Sequence, residues 1–326
     1  MTQKLSWKEN IDELYPKIAG QIKETPLKEA YSLGQLCDCN LFLKLENEQI
    51  TGSFKLRGVA SKFSELVHTG SAPKEVAAAS TGNHAAAVCH LAPYYNCHPT
   101  IFVPETITKS KLNKLQQSEA QIKIEGAQSG ESELLSVKYA ADHNIPLIHP
   151  YNDVAVVAGQ GTIGFELIKQ LNSFEMVFVP VGGGGLISGI AAYLKETNPE
   201  IQVIGVQPEN ASEMAASIQA NQVVPASTLP TLSDGTAGGL DPDTITLDLC
   251  KRYVDEFILV SEEEIARGLY LTYKHTRMKV EPAAALTIAG ILKSMEKVRD
   301  KTVIAIICGG NIAEERFEKI IAPYHD

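Results

Sequence analysis

An α/β fold with mostly parallel sheets flanked by helices is what this sequence predicts, and three observations carry the prediction. Short apolar runs recur along the 326 residues, with helical patterns of roughly 12 to 25 residues between most of them. Several runs are apolar without alternation, as strands covered by helices on both faces are. Three glycine-containing turns fall where a strand should hand over to a helix.

In chain order, Ile11, Leu14, Tyr15, Ile18 and Ile22 stand at helical spacing and predict an amphipathic helix. Strands are expected at Leu41–Glu46, Val76–Ala79, Thr100–Val103, Ile122–Ile124, Leu147–Ile148, Met176–Val181, Val203–Val206 and Thr302–Ile307. The stretch from about 220 to 245 is rich in Pro, Gly, Ser and Thr and has no periodicity. It is expected to be a loop lining a site. The length suggests about two domains, and no Ser/Gly tether divides them.

Composition narrows the function. With 29 basic and 39 acidic residues, the net charge of −10 argues against nucleic acid or an anionic membrane as partner. It is no bar to a small anionic ligand. The first 20 residues carry charges throughout, and no 18-residue apolar run exists, so neither a signal peptide nor a membrane span is expected. Six cysteines without a CxxC or a zinc-type spacing read as reduced thiols, and the expected location is cytoplasmic.

The turns are Ser80-Thr81-Gly82-Asn83-His84, Gly182-Gly183-Gly184-Gly185 and Cys308-Gly309-Gly310-Asn311. Open parallel sheets bind ligands beyond the carboxyl ends of their strands. There, glycine lets backbone N–H groups approach an anion at a helix N-terminus, and four consecutive glycines suggest a phosphate nest. A tight turn packed on a helix is the alternative. Gly159-Gln160-Gly161-Thr162-Ile163-Gly164 also matches GxGxxG. A dinucleotide site needs an acidic residue at the end of the next strand, and that strand runs instead into the tetraglycine. Finally, Lys55 stands between Phe54 and Leu56 at an apparent helix start. Apolar neighbours and a helix N-terminus disfavour the ammonium form and suit a Schiff-base amine; a solvated surface lysine is the alternative.

Ser53-Phe54-Lys55-Leu56-Arg57-Gly58 and the three turns occur together in this order. The set resembles the pyridoxal-phosphate enzymes of the tryptophan synthase β fold (fold type II), and within them the threonine/serine dehydratases and serine racemases. The resemblance runs from about residue 20 to 315. It implies that Lys55 joins covalently to pyridoxal 5'-phosphate and that Phe54 packs near the ring. It implies that Gly182, Gly183, Gly184 and Gly185 hold the phosphate, that Asn83 lies beside the ring hydroxyl and that Cys308 faces the pyridine nitrogen. Gly235 lies near the ring face and Glu281 borders the pocket. Ser80, Asn83 and His84, with nearby backbone amides, receive the substrate carboxylate. The implied architecture is two interleaved domains with the cofactor in the cleft: residues 1–74 and 153–326 as the large domain and 75–152 as an inserted lid. A homodimer is implied as well.

Departures from the pattern carry content. A thiol at Cys308 cannot keep the pyridine nitrogen protonated, so the ring is a weaker electron sink, which suits prompt β-elimination. Thr81 stands where racemases place a serine acting as second acid/base; it keeps the hydroxyl and adds a methyl. Cation-binding relatives use a Glu, a carbonyl and an Asp where this chain has Gln207, Ala211 and Glu213. Gln207 removes a charge, so no metal is expected. His149 and His275 read as packed or surface residues. The chain ends shortly after Asn311, so no C-terminal regulatory domain and no feedback inhibition are expected. The expected function is dehydrative deamination of L-threonine and/or L-serine to a 2-oxo acid and ammonia. The alternative is a serine racemase, or a dehydratase of another 3-hydroxy amino acid such as 3-hydroxyaspartate.

Overall fold

A computed structural model describes residues 6–70, 72–225 and 229–324. Ser6 caps helix α1 (Trp7–Ile18) in a reciprocal capping box with Glu9, and Ile11, Leu14 and Ile18 face inward. Ile22 is buried beyond the helix end. Strand β1 (Leu27–Glu29), α2 (Tyr31–Leu36) and β2 (Asn40–Leu45) follow, and a short turn leads to α3 (Lys55–Thr69). Next come β3 (Glu75–Ala79), α4 (Asn83–Leu91), β4 (His98–Val103), α5 (Lys109–Leu115), β5 (Gln121–Ile124) and α6 (Ser129–His143). The chain then forms α7 (Val154–Gln170), β6 (Met176–Pro180), α8 (Gly185–Thr197), β7 (Gln202–Pro208) and α9 (Glu213–Ala220). Its last part is α10 (Ile245–Tyr253), β8 (Glu256–Val260), α11 (Glu262–Thr276), α12 (Pro282–Lys293), α13 (Met295–Val298), β9 (Thr302–Ile307) and α14 (Glu314–Ile321).

Two sheets result. The larger has the order β1-β2-β9-β6-β7-β8, and every pairing is parallel except β1 with β2. Its inner strands β6 and β9 are buried almost end to end, because helices cover both faces. The smaller sheet, β3-β4-β5, is all parallel. Among the described residues no helix is long and apolar enough to cross a membrane.

Three differences from the expected elements have physical causes. Leu147–Ile148 forms only a bridge to Ala77 at the margin of the small sheet. Strands β1 and β8 lie at the two edges of the large sheet, where pairing on one side alone leaves a weak sequence pattern. The GxGxxG stretch and the apolar residues before it sit inside α7, with Gly159, Gly161 and Gly164 all buried. It is a helix-packing surface, as the missing acidic partner anticipates. Residues 226–228 of the expected 220–245 loop lie outside the described residues. From 231 to 244 the chain forms no helix or strand.

Helix α3 is fixed to the sheet by a buried ionic cluster. The Arg57 guanidinium binds Glu46 at 2.8 Å and Glu166 at 2.7 Å, and Lys44 binds Glu166 from β2. All four side chains are inaccessible to water, so each charge depends on its partners and the position of α3 is tightly specified.

Candidate active site

The strand ends at the carboxyl side of the large sheet bring the expected residues together. The 51–54 turn that delivers Lys55 is pinned to the segment after β9. Phe54 N–H donates to the Cys308 carbonyl at 3.0 Å, Gly310 N–H to Gly52 O at 2.9 Å, and Asn311 Nδ2 to Thr51 O at 2.9 Å. Gly52 is left-handed with φ 75°, and a Cβ there would lie 2.6 Å from the Asn311 side chain. Lys55 opens α3 with its amine 5.2 Å from the Phe54 ring centroid and donating to the Pro150 carbonyl at 2.8 Å. Burial lowers the amine to about 8, while the Glu133 and Glu281 carboxylates pull the other way.

Asn83, at the first turn of α4, crosses to the large sheet. Its Nδ2 donates to both oxygens of Glu281 at 3.1 and 3.0 Å, and its Oδ1 accepts from Asn311 at 2.7 Å. Burial pushes the Glu281 carboxyl, just ahead of α12, up to about 7. Cys308 Sγ donates to it at 3.7 Å, and burial holds that thiol well above its ordinary value, so it is neutral. Gly235 lies in the 231–244 loop; a Cβ there would be 4.0 Å from Glu281 Oε1. Ser80 Oγ accepts the Gly82 N–H, and Thr81 is half-buried in the same turn.

The tetraglycine runs from the end of β6 into α8. Gly184 has φ 84°, and Thr246 Oγ1 donates to Gly183 O at 2.7 Å. A Cβ at Gly182 would meet the Thr236 backbone at 2.9 Å, and one at Gly183 would meet the Tyr151 ring at 2.4 Å.

Two sets of expected residues are placed elsewhere. The His84 ring turns into the small sheet's core, where its Nε2 donates to Ile148 O at 2.8 Å. Burial lowers it to about 3, so only its backbone N–H remains for a ligand at the α4 N-terminus. Gln207 lies in β7, Glu213 opens α9, and Ala211 stands in the turn between them. There Gln207 Nε2 donates to Ala211 O at 3.3 Å and Gln207 Oε1 accepts the Ala215 N–H at 2.9 Å. Sequence reasoning missed Pro150, Tyr151, Thr236, Glu133 and Asp241, and His149 is not an ordinary packed residue but the centre of a cluster with the last two. Only the loop composition at 220–245 pointed toward any of them.

A model of the pyridoxal-phosphate dependent enzymes matches residues 18–309. The chain belongs to that family. It is 37% identical over 313 residues to an L-threonine ammonia-lyase of Thermotoga maritima, covering 96% of this chain and 77% of that protein. It is 38% identical over 316 residues to a catabolic L-threonine dehydratase of Staphylococcus aureus, covering 96% and 91%. Among solved structures, serine racemase from Dictyostelium discoideum superposes with a TM-score of 0.85 at 31% identity, covering 95% of this chain and 99% of that one. Threonine deaminase isoform 2 from Solanum lycopersicum gives 0.89 at 29% identity, covering 97% and 86%. The fold is thus that of the threonine deaminases and serine racemases, and the cofactor of the family is pyridoxal phosphate.

The site's residues fit that group. The Lys55 amine is half-buried and its proton affinity is lowered, as Schiff-base chemistry requires. The glycine loop presents unshielded backbone at the start of the 13-residue helix α8, a fixed positive end suited to a phosphate dianion. The neutral Cys308 thiol suits an unprotonated ring nitrogen.

Proposed function

We propose that this protein is a pyridoxal-phosphate-dependent lyase that converts L-threonine and/or L-serine to the 2-oxo acid and ammonia. The observation that carries the reading is the Lys55 amine, half-buried and lowered to about 8, at the cleft formed by Asn83, Glu281 and Cys308. The names and identities of the relatives support the substrate class.

Bound pyridoxal phosphate supplies an electron sink for charge developing at the substrate α-carbon. Lys55 would carry it, Gly182 to Gly185 would hold its phosphate, and Phe54, Gly235 and Cys308 would line the place of its ring. Asn83 and Glu281 form one hydrogen-bonded unit beside it. A substrate carboxylate is received by Ser80 and by the N–H groups of the first turn of α4, where the helix end favours an anion. The Lys55 amine, when free, would be the base for the α-proton, because an amine lowered to about 8 is partly unprotonated near neutral pH. Cys308 adds no charge beside the ring, which favours rapid departure of the β-hydroxyl over slower exchange at the α-carbon.

Residues 75–152 act as the lid, with 1–74 and 153–326 as the larger unit. The protein works as a cytoplasmic homodimer. A second reading, serine racemase, would use Thr81 as its second acid/base, the hydroxyl standing in the turn beside Ser80. A panel of β-hydroxy amino acids, 3-hydroxyaspartate included, decides between them with separate assays for 2-oxo acid, ammonia and D-enantiomer. Oxo acid and ammonia in equal amounts from threonine or serine are expected. Accumulation of D-serine without oxo acid favours the racemase, and no product from any member of the panel overturns both readings.

A further inference from the structure

Glu133, His149 and Asp241 come from three distant segments: α6, the turn after the small sheet, and the loop before α10. His149 Nε2 lies 3.3 Å from Glu133 Oε1 and 3.0 Å from Asp241 Oδ2. The other ring nitrogen, Nδ1, accepts the backbone N–H groups of Asn152 at 2.8 Å and Tyr151 at 3.3 Å. Two donors at Nδ1 place the ring proton on Nε2, aimed at the carboxylates. That arrangement does not suit a cation. A metal on Nε2 would displace the proton to Nδ1, where it would face two N–H groups instead of an acceptor.

The cluster instead locks the 149–152 turn. Asp241 Oδ2 also accepts from Asn152 Nδ2 at 2.9 Å, and Asp241 N–H donates to the Tyr151 hydroxyl at 3.0 Å. Asn152 Oδ1 accepts the Ile245 N–H at 3.0 Å. Inside the locked turn is the Pro150 carbonyl that holds the Lys55 amine at 2.8 Å. The groups acting on that amine are Glu133 from α6, Cys308 after β9 and Glu281 ahead of α12. His84 from α4 is neutral beside them, and His149 lies within electrostatic reach of His84. Glu133 is the strongest of the attractive charges on Lys55.

We propose that Asp241 and His149 are positioning residues for the free Lys55 amine: they fix the Pro150 carbonyl as the acceptor on which that amine rests whenever it is not joined to the cofactor. The inference rests on the reading of Lys55 as the cofactor-bearing residue. A neutral amine donating one N–H to a fixed carbonyl has its lone pair held in one direction, which a proton abstraction needs and a freely rotating side chain does not supply. The 2.8 Å contact is the resting geometry, and the Glu133 carboxylate beside it tunes how readily the amine takes up a proton.

The test compares wild type with Asp241→Asn, Asp241→Glu and His149→Gln; His149→Gln carries it alone should Asp241→Asn not fold. Borohydride trapping of the loaded wild type, followed by peptide mass analysis, establishes whether Lys55 bears the cofactor. The pH midpoint of Lys55 acylation is then read by mass spectrometry in the cofactor-free proteins, and kcat and KM in the loaded ones. In Asp241→Asn and His149→Gln the midpoint is expected to fall by about one pH unit, because the ammonium loses its fixed acceptor. Their kcat is expected to fall about 10- to 100-fold at near-constant KM, with Asp241→Glu recovering most of it. Cofactor trapped on another residue overturns the functional reading and this inference with it. Trapping on Lys55 with midpoint and kcat unchanged in the variants, even if they melt earlier, overturns the inference alone.

Discussion

Replacing Lys55 with Ala removes the amine that Schiff-base chemistry needs, so no mass should be gained on borohydride trapping and turnover should fall below detection while the fold persists. An active Lys55→Ala protein would refute the assignment. Glu281 makes a second prediction at the same scale, in the cofactor-free protein. Burial raises its carboxyl from 4.5 to about 7. Between those values the folded chain keeps a proton that the unfolded chain has released, so stability is highest at the acid end and falls as pH rises through 7. The loss should be about 3 kcal/mol at most. Glu281→Gln has no such proton, so the wild-type and variant stabilities, measured by chemical denaturation at pH 4.5 and 8, should differ by that pH-dependent amount. Parallel pH curves would show that Glu281 titrates normally. Lys55, the glycines and Cys308 were legible because each is a residue type the chemistry needs, set in a motif. Asp241 and Glu133 were not, since an acidic residue in a loop or on a helix face carries no local signal and gains its role only from the chain's return to His149.

Helix α7 shows how one pattern serves two physical ends. A Cβ on Gly159 would lie 2.4 Å from the Arg57 carbonyl and 2.7 Å from Gly58 Cα, and one on Gly161 would lie 2.9 Å from Gly189 O. The glycines let α7 press against α3 and α8, and α3 is the helix that presents Lys55. Gly159→Ala would gain about 1 kcal/mol of helix propensity, but it forces two backbones apart. Overpacking of this kind costs about 1–3 kcal/mol, and here the neighbour is main chain that cannot rotate away, so the loss wins. The expected outcome is a lower Tm together with weaker cofactor retention, read by thermal melting and by dialysis. An unchanged Tm would show that α3 and α7 can separate freely. The same helix explains a limit of the sequence reading: a short apolar run such as Val154–Ala158 fits a strand or a buried helix equally well. The parallel strands of the sheet interiors were legible from unbroken apolar runs. The edge strands β1 and β8 were not, because a three-residue strand and a half-exposed one carry too little pattern.

Across the whole molecule, the site joins groups that the chain order keeps apart. Asn83 and Glu133 belong to the elements around the small sheet, whereas Lys55, Glu281, Cys308 and the tetraglycine belong to the large one. The ties between them are both polar and apolar: Asn83 to Glu281 and to Asn311, His149 to Asp241 at 3.0 Å, Phe63 of α3 stacked on Tyr95 at 4.7 Å, and Lys111 on α5 to Asp234 at 3.2 Å. Exposed ion pairs such as the last contribute little, and a ligand in the cleft adds contacts to both parts. Pyridoxal phosphate should therefore stabilise the chain as a unit. At 100 times its dissociation constant the linkage is worth about 2.7 kcal/mol, a rise in Tm of about 4 °C for a chain of 326 residues. Pyridoxal lacks the phosphate, so at equal concentration it should give a much smaller rise if the glycine loop at the α8 N-terminus supplies the main anchor. Lys55→Ala with pyridoxal phosphate should fall between the two, keeping the anchor and losing the covalent bond. Equal shifts from pyridoxal and its phosphate, measured in one melting series, would remove the tetraglycine from the binding site and leave the amine as the sole attachment.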